Sequence, residues 1–156
     1  MNEAAEQPFN DAEIRVVYRD TDQMGVVYYA NYFVFMERAR TEYLRARGLT
    51  YRELEQGGIN LPVTRAECDY KRPARYDDLV RVRAFVAETT RVRLVFRYEI
   101  YCDARGELLA TGSTRHVYLG KDMRPRRVSK DFVRFLRKET EEMPPEGTAR
   151  GDSKEK

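Results

Sequence analysis

A chain of 156 residues is long enough to bury one core and short for two, and 42% hydrophobic, 12% aromatic and 35% charged residues describe a globular domain with a heavily charged surface. No apolar run approaches the roughly 18 residues needed to span a membrane, and the acidic N-terminus lacks a signal peptide's basic start and apolar stretch, so a cytoplasmic location is expected. The net charge of +3 conceals an asymmetry: residues 14–138 hold 26 Lys/Arg against 16 Asp/Glu, while both ends are acidic, so the central part is suited to an anionic partner such as nucleic acid, a membrane surface, an acidic carrier protein or a phosphate-bearing cofactor.

Residues 1–11 are polar and read as an N-terminal tail. Ile14, Val16 and Tyr18 then alternate with Arg15, Val17 and Arg19, the pattern of a short strand. Next comes Asp20-Thr21-Asp22-Gln23-Met24-Gly25-Val26-Val27-Tyr28-Tyr29-Ala30, a loop with one glycine free to turn and an aromatic-rich exit. Asn31 is placed to cap a helix whose apolar residues Tyr32, Phe35 or Met36, Ala39, Tyr43 and Leu44 recur every three to four positions up to Gly48. A short helical turn over residues 50–55 stops at Gly57-Gly58.

From Ile59 the period changes to two. Pro62, Thr64, Ala66, Cys68 and Tyr70 alternate with Val63, Arg65, Glu67 and Asp69, and the strand ends at Lys71-Arg72-Pro73. Val80, Val82, Ala84 and Val86 share a face of the next strand, and Val92, Leu94, Phe96, Tyr98 and Ile100 share a face of the one after it, with Thr89-Thr90-Arg91 as the hairpin between them. A turn at Asp103-Ala104-Arg105-Gly106 leads into a last strand over residues 107–119, and Ser129 caps a final helix carrying Phe132, Val133, Phe135 and Leu136. Residues 139–156, with Pro144-Pro145, read as a C-terminal tail. The order strand, helix, four strands, helix predicts an α+β domain over residues 12–138, in which one long helix is wrapped by an antiparallel sheet of about five strands. The four later strands are expected to run as a meander, and its open edges favour a homo-oligomer.

Cys68 and Cys102 fall in strands without a Cys-x-x-Cys pair and are expected as free thiols, and a single histidine, His116, cannot assemble a metal site with so few companions. Inside a strand, His116 is expected to be packed or surface-exposed rather than catalytic. Asp20-Thr21-Asp22 begins as calcium loops begin, but Met24 and Asn31 stand where that pattern requires further acidic ligands. Such a loop of Asp, Thr and Asn can be only a turn; the other chemistry open to it is acyl transfer, in which a carboxylate held opposite backbone N–H groups at a helix start attacks a carbonyl, or activates water against it, while those donors polarise the oxygen.

Tyr18 to Tyr32, followed by Glu37-Arg38-Ala39-Arg40, Pro73 to Asp78 and Lys121 to Arg126, resembles the 4-hydroxybenzoyl-CoA thioesterase family of hot-dog proteins, in particular the acyl-CoA thioesterases encoded beside the Tol-Pal system. The likeness covers about residues 12–138. It implies a hot-dog fold and hydrolysis of acyl-CoA to free acid and CoA, with Asp22 as nucleophile or general base and Asp20 structural. It also implies that the Tyr29 amide polarises the thioester carbonyl, with Tyr18 as an assisting residue. Gly25, Val26, Val27 and Tyr28 then border the substrate, and Lys121, Arg124, Arg126 and Arg127 are candidates for the CoA phosphates. Some relatives carry a histidine where this chain has Tyr29, a departure that removes a side-chain base from that position. Met24 and Met36, with Phe33 and Phe35, are expected at an acyl pocket, a subunit interface or the core.

No metal or redox cofactor is expected. A homodimer or homotetramer is expected, an acyl carrier protein is an alternative thioester donor, and nucleic acid is disfavoured because the tyrosines follow core periodicity. Most of the strand arginines, among them Arg81, Arg83 and Arg97, read as the wet face of the sheet. A non-catalytic acyl-thioester-binding or scaffold protein is the rival reading, and a hydratase is disfavoured because no histidine stands near the helix.

Overall fold

The period-two segments pair into one five-stranded antiparallel sheet in the order β1-β3-β4-β5-β2. The computed structural model describes residues 7–137. Its strands are β1 (Phe9–Arg15), β2 (Val63–Tyr70), β3 (Leu79–Thr89), β4 (Arg93–Cys102) and β5 (Glu107–Val117), and its helices are α1 (Asn31–Ala46), α2 (Tyr51–Gln56) and α3 (Lys130–Leu136). The C-terminal segment 139–156 and residues 1–6 lie outside the described residues.

The alternation of β3 and β4 buries Val80, Val82, Ala84, Val86, Leu94, Phe96, Tyr98 and Ile100, all at most 1% exposed, and this face receives the apolar stripe of α1. Tyr32, Phe35, Met36, Ala39, Tyr43 and Leu44 supply that stripe, as their spacing predicts. Tyr43 meets Phe96 edge to face at 5.5 Å and donates its hydroxyl to Leu136 O at 2.6 Å, joining helix, sheet and α3. The helix stops at Gly48, whose φ of +84° only glycine adopts cheaply, with Leu49 N bonded to Leu44 O and Gly48 N to Arg45 O. At Gly112 a Cβ would stand 2.7 Å from Glu67 O with Met36 also in its way, so glycine makes room on β5 for the Met36 side chain of α1 and the backbone of β2.

Four expectations are corrected. The first strand begins at Phe9, inside the segment read as a tail, because Phe9 to Arg15 pair in register with Phe85 to Leu79. That strand ends at Arg15, and Tyr18–Asp20 form a 3-10 turn instead of its continuation. Asn31 is the first residue of α1 rather than its cap; Ala30 occupies the cap without a side-chain bond, and Asn31 Nδ2 instead donates to Asp20 O at 2.8 Å. The later strands are not a sequential meander either. β2 pairs with β5, and Lys71 to Asp78 carry the chain past the ends of β5 and β4 to β3. Alternation along β2 gave no warning, since as an edge strand it is exposed on both faces apart from a half-buried Cys68.

Candidate active site

The crossing segment and the Asp20 to Ala30 loop meet. Val27 N donates to Ala74 O at 2.8 Å, Val26 bridges Arg75, and the buried Tyr32 hydroxyl accepts from Ala74 N at 3.2 Å. The loop folds on itself as a short hairpin: Thr21 bridges Val27, Asp22 N donates to Val26 O, and Gly25 N returns to Asp22 O with Gly25 at φ +79°. The two aspartates part company here. Asp20 spends its carboxylate on Val17 N at 2.9 Å, closing the 3-10 turn, and its carbonyl accepts from both Tyr28 N and Asn31 Nδ2 at 2.8 Å. Asp22 is half-buried; one carboxylate oxygen accepts Met24 N at 2.8 Å and the other has no hydrogen-bond partner among the described residues.

Backbone donors face a similar division. Asn31 N donates to Tyr28 O, which turns the trans-disposed N–H of Tyr29 the opposite way, and that N–H has no partner among the described residues. Tyr70 Oη donates to Tyr29 O at 2.8 Å and thereby fixes the next peptide. Partial burial and the neighbouring Cys68 thiol push the Tyr70 phenol above its ordinary value, which keeps it protonated as a donor.

Asp22 and Tyr29 line one cleft of about 320 Å³ together with Met24, Val26, Val27, Tyr32, Tyr70, Lys71, Arg72 and Pro73. Of the residues named from sequence, Asp22, Tyr29, Val26, Val27 and Met24 are thus brought together. Gly25 shapes the hairpin and Tyr28 packs on Tyr29 with ring centroids 4.7 Å apart, but neither lines the cleft. Tyr18 is 74% exposed and stacks on Tyr76 at 3.9 Å, away from the cleft lining. Met36, fully buried, is core.

Lys121, Arg124, Arg126 and Arg127 lie in the loop after β5. That loop is at the Val63 end of β2, whereas the cleft is at the Tyr70 end, roughly 20 Å away along the strand. Arg126 Nη1 is bonded to Gly58 O at 2.9 Å, so this residue ties the loop to the end of α2. Sequence reasoning missed Tyr70, Lys71, Arg72 and Pro73, and placed Tyr32 at the end of the loop without a part in the cleft. Tyr32 carried a helix-core signal, and Lys71-Arg72-Pro73 read only as a strand boundary.

His116 is fully buried, with Nε2 at 2.8 Å from Thr114 Oγ1 and Nδ1 at 3.3 Å from Leu61 O. Burial, and then the positive charge of Arg40, press its pKa down to about 4. It is a packed histidine, the buried one of the two placements that its strand position allows. Both cysteines are free thiols, no group of three or more His, Cys, Asp or Glu among the described residues is arranged to hold a metal ion, and no helix among them is long and apolar enough to cross a membrane.

The model of the thioesterase-like superfamily matches residues 16–150. The acyl-CoA thioesterase YbgC of Haemophilus influenzae is 39% identical over 113 residues, covering 72% of this chain and 82% of its own. The DHNA-CoA thioesterase structure from Staphylococcus aureus superposes with a TM-score of 0.73 at 38% identity, covering 76% of this chain and 80% of that one. A 4-hydroxybenzoyl-CoA thioesterase, 21% identical, shares the fold with a TM-score of 0.73, covering 82% of this chain and 98% of its own. The chain therefore belongs to the thioesterase-like superfamily and is a thioester hydrolase of the hot-dog fold.

Proposed function

We propose that this chain hydrolyses acyl-CoA to free acid and CoA, with Asp22 acting at the thioester carbonyl and the Tyr29 N–H receiving the oxyanion. The observation that carries this reading is the shared cleft: Asp22, with one carboxylate oxygen unengaged, and Tyr29, with its backbone N–H unpartnered among the described residues, line the same apolar pocket. As nucleophile, Asp22 displaces the CoA thiolate to form a mixed anhydride, which water opens; as general base, it takes a proton from the water that attacks directly. One oriented amide is worth about 3 kcal/mol to such a transition state. The chemistry uses a carboxylate, an amide and water, with no metal or redox cofactor.

Val26, Val27, Met24, Tyr32 and Pro73 supply apolar wall for the acyl group, while Lys71 and Arg72 offer cations for the phosphates of the thioester carrier, CoA or a carrier protein. A second copy extends this site. The exposed edge of β2 invites antiparallel pairing across a twofold axis, which sets the Val63 end of one strand beside the Tyr70 end of the other. Lys121, Arg124 and Arg127 of one protomer then approach the cleft of its partner. This supports a homodimer, or a homotetramer built from such dimers.

Thiol release measured over short, long, branched and aromatic acyl-CoAs tests the activity: turnover on at least one is expected, and saturable binding without turnover on all of them identifies a non-catalytic binding or scaffold protein instead. Sedimentation equilibrium tests the assembly, with a monomer at catalytic concentration overturning it.

A further inference from the structure

The end of the sheet opposite the Asp22 cleft carries a second concavity. The β3–β4 turn gives it Thr90, Arg91 and Val92, the loop after β5 gives Arg127, and α3 gives Lys130, Val133 and Arg134, around about 510 Å³. Four of these seven residues are cations, two are valines and none is acidic. The walls are fastened together: Val128 N donates to Arg91 O at 2.9 Å and Arg91 Nε returns to Val128 O at 2.8 Å. Val92, half exposed, and the partly buried Val133 form an apolar strip between the charges. Among the described residues, Asp131 is a loose exposed partner of Arg134 on this rim at 3.6 Å. Apart from Arg127, which the proposed β2-edge pairing also turns toward the partner's cleft, the thioester chemistry uses none of these residues.

We infer that this groove is a docking site for an acidic amphipathic helix of a partner protein. Lys130 and Arg134 stand four residues apart on one face of α3, a spacing that meets carboxylates repeating at three or four residues along a facing helix. The valine strip accepts the apolar stripe between those carboxylates. A bilayer is a poorer match, because two valines, one of them partly buried, offer little apolar side chain to insert into the interface. Single-stranded nucleic acid is a poorer match because no aromatic ring lines the groove for bases to stack on. The excess of ten positive charges over residues 14–138 speeds encounter with an acidic protein.

The test uses the full chain and a fluorescein-labelled synthetic helix of roughly 18 residues, with Leu along one stripe flanked by Glu. Expected are saturable anisotropy at physiological salt and shifts confined to the Val92 and Val133 methyl resonances. A Lys130→Glu/Arg134→Glu double variant is expected to weaken binding by at least about tenfold, while Arg52→Glu, an exposed cation on α2, leaves it unchanged. Replacing the helix's Leu by Gln is expected to cost about as much as replacing its Glu by Gln. Equal loss in the Arg52 and α3 variants, indifference to the Leu stripe, or no binding overturns the inference. Capture of anionic phosphatidylserine vesicles through Lys130 and Arg134, with the helix unbound, overturns it in favour of a membrane.

Discussion

Tyr70 Oη donates to Tyr29 O at 2.8 Å, and the two rings meet edge to face at 6.5 Å. This contact joins the exposed edge strand to the residue before the α1 cap, across 41 positions of sequence. Tyr29 O is also within 3.3 Å of Tyr32 N, so the peptide that opens the helix is held from both sides. Tyr70→Phe keeps the ring and removes the hydroxyl. It is expected to lower kcat/KM up to about tenfold, the worth of one hydrogen bond that orients the site, while the melting temperature changes little because Tyr29 O opens to water. Steady-state kinetics beside thermal melting checks this; an unchanged kcat/KM removes Tyr70 from the positioning of the loop.

Asp22→Asn preserves an oxygen for Met24 N and therefore the hairpin. Turnover is expected to fall by at least about 10²-fold, with acyl-CoA binding and the melting temperature close to those of the parent chain. Thiol release and equilibrium binding on the same preparation decide it. Asp20→Ala serves as the contrast: it removes the acceptor of Val17 N, so its effect should register first in stability.

His116 sets an acid limit on the fold. Its pKa lies at about 4 in the folded chain against an ordinary 6.5. Between those values the unfolded chain binds the extra proton, so the stabilisation is complete above about pH 6.5 and is lost as pH falls toward 4. The loss amounts to roughly 3 kcal/mol over that window. Urea unfolding at intervals across it should show the slope in the parent chain and a shallower one in His116→Gln.

Gly112→Ala tests the approach of α1 to β5. Met36 can swing aside, but Glu67 O belongs to the backbone of β2 and stands 2.7 Å from the new Cβ. A loss of about 1–3 kcal/mol is expected, read as about 2–4 °C in melting temperature for each kcal/mol. Gly106→Ala is a useful comparison: nothing lies within 4 Å of its Cβ, and its penalty comes from a φ of +62° alone.

Periodicity by itself determined the long helix and the two central strands of this protein. The 3.6-residue stripe from Tyr32 to Leu44 and the alternation through β3 and β4 are local consequences of burying one face, so both are legible without coordinates. The run from Asp20 to Tyr32 was legible as a site through its resemblance to a thioesterase loop, and Asp22 and Tyr29 do share a cleft. What only tertiary structure decided is which segments meet. β2 is exposed on both faces, so its side chains carry no information about its neighbour, and its pairing with β5 instead of β3 follows from long-range hydrogen bonds. That pairing sends Lys71 to Asp78 past the strand ends and brings Tyr70 and Pro73 beside a loop some fifty residues earlier. It also separates Lys121 and Arg124 from Asp22 by the length of a strand, although both groups look equally suited to CoA in the linear sequence. Charge and residue type name the chemistry a side chain can perform; backbone pairing over long sequence distances sets which side chains perform it together.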